Sequence, residues 1–165
     1  MYTLRVSTWI EAPAAVCFDL ARNVDAHVKS VAGTGERVVG GRLSGLLGLG
    51  DEVTWEGRHF GVSQRLTSRI TEFRPHSFFQ DRMTKGAFRS FEHDHFFDEK
   101  DGGTMMTDVV SFRAPFGTLG WVAERLLLAS HLRRLLVDRG VALKGMAEDL
   151  RGGSAEVRIR EADGA

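Results

Sequence analysis

The residues best suited to chemistry form one short alternating segment, residues 89–97, with the sequence Arg-Ser-Phe-Glu-His-Asp-His-Phe-Phe. Successive side chains of a β-strand point to opposite sides, so every second residue shares a face. One predicted face contains Phe91, His93, His95 and Phe97. Because so aromatic a face is unstable against water, we expect it to be buried on the concave side of a sheet. Two imidazoles then lie among apolar side chains.

Two aspartates in neighbouring segments are the natural partners of these imidazoles. Asp81 alternates with Phe79 and Met83, and Asp108 alternates with Met106. A carboxylate buried without a partner costs several kcal/mol or becomes protonated. We therefore predict one polar cluster inside an otherwise apolar concavity, made of Asp81, His93, His95 and Asp108.

Three interpretations of this polar cluster are open. It is a hydrogen-bonded network that fixes strand register, or it anchors the polar group of an apolar ligand. The third interpretation is a catalytic His–Asp pair or a metal site, since two histidines at i and i+2 can chelate zinc. The residues alone require neither a catalytic pair nor a metal site, so we expect no catalytic residue, no metal ligand and no cofactor.

Other residues are predicted to line the same concavity. Trp55 is either a core residue or part of a cavity wall, and Leu136 lies on the apolar stripe of the C-terminal segment. Gly140 interrupts that stripe, where glycine costs about 1 kcal/mol relative to alanine. Its missing side chain either widens the cavity or allows close packing against a strand. The predicted ligand-contacting residues are Trp55, Phe79, Asp81, Met83, Phe91, His93, His95, Met106, Asp108, Leu136 and Gly140.

A Gly- and Leu-rich connection, residues 40–50, precedes the third strand. Its glycines give flexibility while Leu46, Leu47 and Leu49 are apolar. One interpretation is a mobile lid over the cavity mouth. The other is a hairpin loop whose leucines pack into the core.

The periodicity of the remaining chain predicts the elements that position these residues. Strands are predicted over 2–10, 37–39, 52–60, 62–73, 77–85, 88–98 and 104–113, with a hairpin turn at Lys100-Asp101-Gly102-Gly103. Two short helices follow the first strand, one beginning near Pro13 and one capped by Asn23. From Val122 to Leu150, apolar residues at helical spacing predict one long amphipathic helix. Its basic residues Arg125, Arg133, Arg134, Arg139 and Lys144 are interpreted as a solvated face.

Composition narrows the function. The 165 residues contain 22 Lys plus Arg and 22 Asp plus Glu, a formal net charge of zero, which argues against a nucleic-acid partner. A single cysteine, Cys17, excludes an intramolecular disulfide. No apolar run approaches the length of a membrane span, so we expect no stable membrane insertion and a cytoplasmic protein.

The order of elements, together with local motifs, resembles the helix-grip fold of the START/polyketide-cyclase (SRPBCC) superfamily and its bacterial ligand-binding branch. The similar segments, which extend from residue 3 to about 150, are Val6 to Leu20, Gly50 to Gly61, Phe79 to Phe97, Gly103 to Val110 and Pro115 to Gly120. The resemblance implies binding of hydrophobic ligands, and some members of the superfamily are cyclases, dehydratases or hydrolases.

These observations predict an α+β, helix-grip fold: a seven-stranded curved antiparallel sheet wrapped around a long C-terminal helix, with two short helices after the first strand. Residues 1–150 are expected to form a single domain and residues 151–165 a disordered tail. The expected function is binding of a small, mostly apolar molecule between sheet and helix, without demonstrable catalysis. The alternatives are a cyclase- or dehydratase-type enzyme with a His–Asp pair acting on a polyketide or aromatic substrate, and a protein-interaction module or homodimer.

Overall fold

A computed structural model of the chain describes the backbone of residues 1–59, 61–114 and 128–162, and the side chains of residues 1–58, 61–114 and 128–152. Several residues named in the sequence predictions lie outside these described ranges. They are Phe60, Pro115, Gly117, Gly120, Val122, Arg125 and Leu126, together with the side chain of His59.

Seven strands form one antiparallel sheet. They are β1 (Tyr2–Ile10), β2 (Arg37–Gly41), β3 (Glu52–His59), β4 (Val62–Arg74), β5 (Phe78–Lys85), β6 (Ser90–Lys100) and β7 (Gly103–Arg113). Their order in the sheet is β1-β7-β6-β5-β4-β3-β2, so β2 to β7 follow one another as hairpins and β1 closes against β7. Short connections force consecutive strands to be antiparallel. The predicted strands therefore match the observed ones to within a few residues.

The hairpin between β6 and β7 sets the register that matters for the site. Asp101 and Gly102 both adopt positive φ, 50° and 79°, which is the conformation of a two-residue turn that matches the twist of the flanking strands. Asp and Gly tolerate this conformation better than other residues. The turn fixes Lys100 opposite Gly103, and pairing then continues along both strands as far as Ser90 and Arg113.

Three α-helices accompany the sheet in the described part of the chain. They are α1 (Ala14–Ala21), α2 (Val24–Ser30) and α3 (Ala129–Ala162), with a 3₁₀ turn at Ala32–Thr34. The predicted cap is confirmed, because the side chain of Asn23 accepts a 3.0 Å hydrogen bond from the amide of Ala26. The predicted helix-grip fold is confirmed as well.

Helix α3 packs by a stripe of buried residues that includes Leu136, Leu143 and Ala147. Gly140 lies on this stripe against β1, and a Cβ atom there would stand 2.5 Å from the Thr8 hydroxyl oxygen. Close packing against a strand therefore explains this glycine, and the idea that it widens the cavity is wrong.

Helix α3 is described as far as Ala162, and the disordered tail over residues 151–165 stays a prediction. The prediction rested on Gly152 and Gly153, each of which costs a helix about 1 kcal/mol. The following residues, up to Ala162, are mostly Ala, Glu and Arg, which favour helix. The extent of the domain, residues 1–150, stays a prediction. Within the described residues, no helix is both long enough and apolar enough to cross a membrane.

The Gly- and Leu-rich loop is tied down at several points. The amide of Leu47 donates to the carbonyl of Arg22 and the amide of Gly50 to that of Ile70, both at 2.9 Å. Leu47 is buried, whereas Leu46 and Leu49 are exposed by 38% and 66%. One leucine thus packs into the core, as a hairpin loop requires. The lid and the homodimer both stay predictions.

Candidate functional site

The pairing of β5, β6 and β7 places the four predicted polar residues side by side. Asp81 lies directly opposite His93, and His95 lies directly opposite Asp108. Directly paired residues on one face have Cβ atoms about 5 Å apart, so all four side chains meet above the middle strand. The cluster foreseen from alternation is therefore present.

Each imidazole also reaches the carboxylate that lies diagonally from it. The Nε2 atom of His93 is 2.9 Å from Oδ1 of Asp108, and Nε2 of His95 is 3.1 Å from Oδ2 of Asp81. The remaining ring nitrogens face the opposite way: Nδ1 of His95 is 2.8 Å from Oδ1 of Asp108 and Nδ1 of His93 is 3.9 Å from Oδ2 of Asp81. Both histidines are thus held between the same two carboxylates.

One of these contacts is short without being a well-directed hydrogen bond. Although Nδ1 of His95 lies close to Oδ1 of Asp108, among the described residues it has no hydrogen-bond partner of suitable geometry, and neither has Oδ2 of Asp108. The attraction between the two groups is therefore mainly ionic, and Asp108 interacts through a single oxygen.

Stacking fixes the orientation of the rings. The ring of His95 is sandwiched, with its centroid 4.1 Å from that of Phe79 and 3.8 Å from that of His93. Phe79 in turn packs edge-to-face against Phe18 of α1. The imidazole orientations are consequently set by the aromatic core as well as by the carboxylates.

Arg139 of α3 completes the cluster. Its Nη1 donates to Oδ1 of Asp108 at 3.1 Å and its Nη2 donates to the carbonyl of Ala21 at 3.0 Å. The residue is only 5% exposed, so its assignment to a solvated face is wrong. The sequence could have indicated that Arg139 is buried, because it falls three residues after Leu136 and four before Leu143, on the apolar stripe of the helix.

Burial and charge act against each other at the two carboxylates. Burial alone would raise the pKa of Asp108, but the nearby Arg139 guanidinium and both histidines hold that pKa well below its usual value. Burial likewise opposes ionisation of Asp81, yet its hydrogen bond to His95 and the proximity of His93 lower its pKa. Both aspartates are therefore ionised.

The pKa values of the two histidines shift in opposite directions. Burial and the neighbouring His95 lower the pKa of His93, which favours its neutral form. Burial also opposes a charge on His95, but its contacts with Asp108 and Asp81 raise its pKa. The two carboxylates therefore favour the protonated form of His95 over that of His93.

A cavity of about 200 Å³ lies between the sheet and helices α2 and α3. Most of the side chains that line it are apolar, among them Val24, Val53, Ile70, Phe88 and Leu132. Of the predicted ligand-contacting residues, its wall includes Trp55, Phe79, Asp81, Phe91, His93, His95 and Leu136. The polar cluster is therefore one polar region of a wall that is mostly apolar.

Four predicted residues are absent from the described cavity wall: Met83, Met106, Asp108 and Gly140. Met106 is fully buried in the core, and Asp108 is only 1% exposed, behind the histidine rings. Met83 packs against a separate apolar cluster and Gly140 packs against β1. Alternation identifies the face on which a side chain lies, but not how deep it is covered.

A second polar pair on the cavity wall was not foreseen from the sequence. Nε2 of His27 lies 2.7 Å from Oε1 of Glu36, and the His27 ring packs on Trp55 with centroids 4.1 Å apart. His27 falls three residues after Val24 and four before Val31, so helical spacing could have placed it on the buried face of α2.

Comparison with known proteins shows the fold. Zhui aromatase/cyclase from Streptomyces sp. R1128 is 16% identical, with 89% of this chain and 93% of that chain covered and a TM-score of 0.72. TTHA0849 from Thermus thermophilus is 16% identical, with coverage of 88% and 99% and a TM-score of 0.69. Major latex-like protein 151 from Panax ginseng is 12% identical, with coverage of 88% and 97% and a TM-score of 0.60.

At such low identities, these likenesses establish the fold alone. No protein-family model and no curated protein matches the sequence.

Proposed function

We propose that this protein binds a small, mostly apolar molecule in the cavity between the sheet and α3. The observation that supports the proposal is the cavity itself, a space of about 200 Å³ with a mostly apolar wall that includes Asp81, His93 and His95. Binding sites for small molecules have this character, with apolar walls and a few convergent polar groups that set orientation.

The volume sets the size of the ligand. On the same scale, a dry cavity of about 150 Å³ holds one benzene molecule. The cavity here therefore suits a molecule of one or two rings. Each CH₂-sized group taken out of water contributes about 0.8 kcal/mol, so the apolar wall supplies most of the affinity.

The polar cluster sets the orientation. Asp81 and His93 both line the cavity, and Asp81 keeps 19% of its side chain accessible. Because Asp81 is ionised, it is an acceptor only. A ligand hydroxyl or amine can donate to it, and we expect the polar group of the ligand to point toward β5 and β6.

The test uses 2-naphthol, a two-ring molecule with one hydroxyl, in calorimetric titration. We expect one saturable site per chain. Leu135→Trp puts a large ring into the cavity wall and should weaken binding at least tenfold, whereas Val137→Trp, at a position 43% exposed on the same helix, should leave it unchanged. Absence of saturable binding, or equal binding by both variants, contradicts the proposal.

A second candidate function is acid–base catalysis of a cyclase or dehydratase type. The observation in its favour is a neutral imidazole, His93, that lines the cavity and contacts the ionised Asp108, since a general base needs an unprotonated nitrogen within reach of a substrate. Zhui aromatase/cyclase has the same fold. Turnover of a poly-β-ketone into an aromatic product, lost in folded His93→Ala, would support it; ligand binding without turnover leaves the first proposal.

A further inference from the structure

Three potential metal ligands converge where the cavity meets the sheet. They belong to Asp81, His93 and His95, and one ligand atom from each residue lies within 4.8 Å of the other two. Oδ2 of Asp81 lies 3.9 Å from Nδ1 of His93 and 3.1 Å from Nε2 of His95. Zinc bonds of about 2.0–2.1 Å in tetrahedral geometry place ligand atoms about 3.4 Å apart, so the 3.9 Å separation between Asp81 and His93 must shorten by about 0.5 Å.

The opposite nitrogens of both rings point at a second carboxylate. Nε2 of His93 and Nδ1 of His95 lie 2.9 Å and 2.8 Å from the same oxygen of Asp108. Metal-bound histidines usually direct their other nitrogen to a carboxylate, which fixes the tautomer and the ring orientation. Asp108 does this for His93 through a 2.9 Å hydrogen bond, and it lies beside Nδ1 of His95 without hydrogen-bond geometry. Arg139 holds Asp108 in place.

From this geometry we infer that Asp81, His93 and His95 form a binding site for a divalent transition-metal ion such as Zn²⁺, with Asp108 as the carboxylate that orients the imidazole of His93. Two imidazole nitrogens and one carboxylate oxygen suit zinc, iron, cobalt or nickel, whereas Ca²⁺ and Mg²⁺ prefer oxygen ligands throughout. The sequence pattern alone could not show that the ligand atoms converge on one point.

Three protein ligands leave at least one coordination position open, and all three line the cavity. A molecule in the cavity can therefore reach the ion. Both histidines bind the ion in their neutral form, so the ion displaces any proton on His95. The two charges of the ion and that of Arg139, set against the carboxylates of Asp81 and Asp108, then leave one net positive charge. The open position accordingly favours an anionic oxygen donor. Metal binding itself does not depend on the proposed apolar ligand, so either proposal can fail alone.

The test is titration of the full chain, freed of metal with EDTA, with Co²⁺ while visible absorption is recorded. We expect d–d bands that saturate at one Co²⁺ per chain and disappear when Zn²⁺ is added. His93→Phe and His95→Phe should each lose roughly 100-fold or more in affinity, beyond the 10- to 100-fold typical of residues that only orient a ligand. His27→Gln, which alters another imidazole of the cavity wall, should bind as the unaltered chain does.

Asp81→Asn keeps the test decisive even if the phenylalanine variants fail to fold. The amide matches the carboxylate in shape and still accepts a hydrogen bond, but it is a much poorer metal ligand, so Co²⁺ affinity should fall at least tenfold while circular dichroism is unchanged. The inference is overturned if the unaltered chain gives no saturable Co²⁺ spectrum, or if folded variants of Asp81, His93 or His95 bind Co²⁺ as well as it does.

Discussion

Replacing Arg139 by methionine removes the only cation that α3 contributes to the described part of the polar cluster. Arg139 and Asp108 are 5% and 1% exposed, and loss of one partner from a buried ion pair costs about 3–5 kcal/mol. The carbonyl of Ala21 also loses its donor, a loss of about 1 kcal/mol. Because methionine fills much of the same space, we expect the free energy of unfolding to fall by about 4 kcal/mol.

The pH dependence of this loss gives a second and independent measure. The pKa of Asp108 is held well below its usual value in the folded protein, so its stabilising contribution is fully present above the unfolded pKa, about 3.9. That contribution is lost as pH falls through the folded pKa. In Arg139→Met the chief attraction that lowers this pKa is missing. The stability gap between the two proteins should therefore shrink below pH ~3.9, by up to about 1.4 kcal/mol per pH unit.

Urea unfolding followed by circular dichroism measures both effects. Arg134→Met is the matched control, since Arg134 lies on the same helix and is exposed, and we expect it to change stability by no more than about 0.5 kcal/mol. If Arg139→Met were no more destabilising than Arg134→Met at pH 7, or if the gap between them were constant from pH 7 to pH 3, the buried ion pair would have no energetic importance.

Three further perturbations test the packing around the site. Gly140→Ala should lower the free energy of unfolding by about 1 kcal/mol, as measured by urea titration. The reason is that overpacking against Thr8 outweighs the higher helix propensity of alanine. In a Thr8→Ala background, the same change should instead stabilise the protein. Cys17 is 1% exposed and burial raises its pKa, so Ellman's reagent at pH 8 should modify it only after unfolding; rapid modification of the folded chain would contradict its burial. The hydrogen-bonded amides of Leu47 and Gly50 should exchange slowly by NMR without ligand, whereas fast exchange would indicate a lid.

The sheet could be predicted because its sequence alternates and its turns are chemically distinct. Asp101-Gly102 provides the two positive φ angles of the tight turn, and that turn fixes the register opposite Asp108. Since each strand has one buried face, a slip of one residue would expose the aromatic side. The polar cluster followed from the same alternation, because its histidines lie on the face that must be buried.

The residues that were missed are charged or polar groups on helices. Arg139 and His27 both occupy apolar stripes by spacing, yet Arg139 was assigned to a solvated face and His27 was not assigned at all. Each is buried because a partner on another element satisfies it, Asp108 for Arg139 and Glu36 for His27. Partners that are distant in sequence depend on how helices cross the sheet, which helical periodicity does not determine.

The depth at which a side chain is buried also could not be predicted from the sequence. Met106 and Asp108 lie on the predicted face of β7 but are covered by neighbouring side chains. Position across the sheet decides whether a residue on the concave face meets the cavity or the packed core, and alternation is the same in both cases.

Titration of the ¹⁵N-labelled chain with 2-naphthol, followed by two-dimensional amide NMR, tests the central claim most directly. We predict saturable shifts at one ligand per chain, concentrated at the cavity-lining residues Ser68, Ile70 and Leu136, with Arg5 and Glu72 on the outer parts of β1 and β4 unaffected. Shifts that never saturate, or that are confined to exposed residues such as Leu43 and Leu49, would contradict a ligand-binding cavity between the sheet and α3.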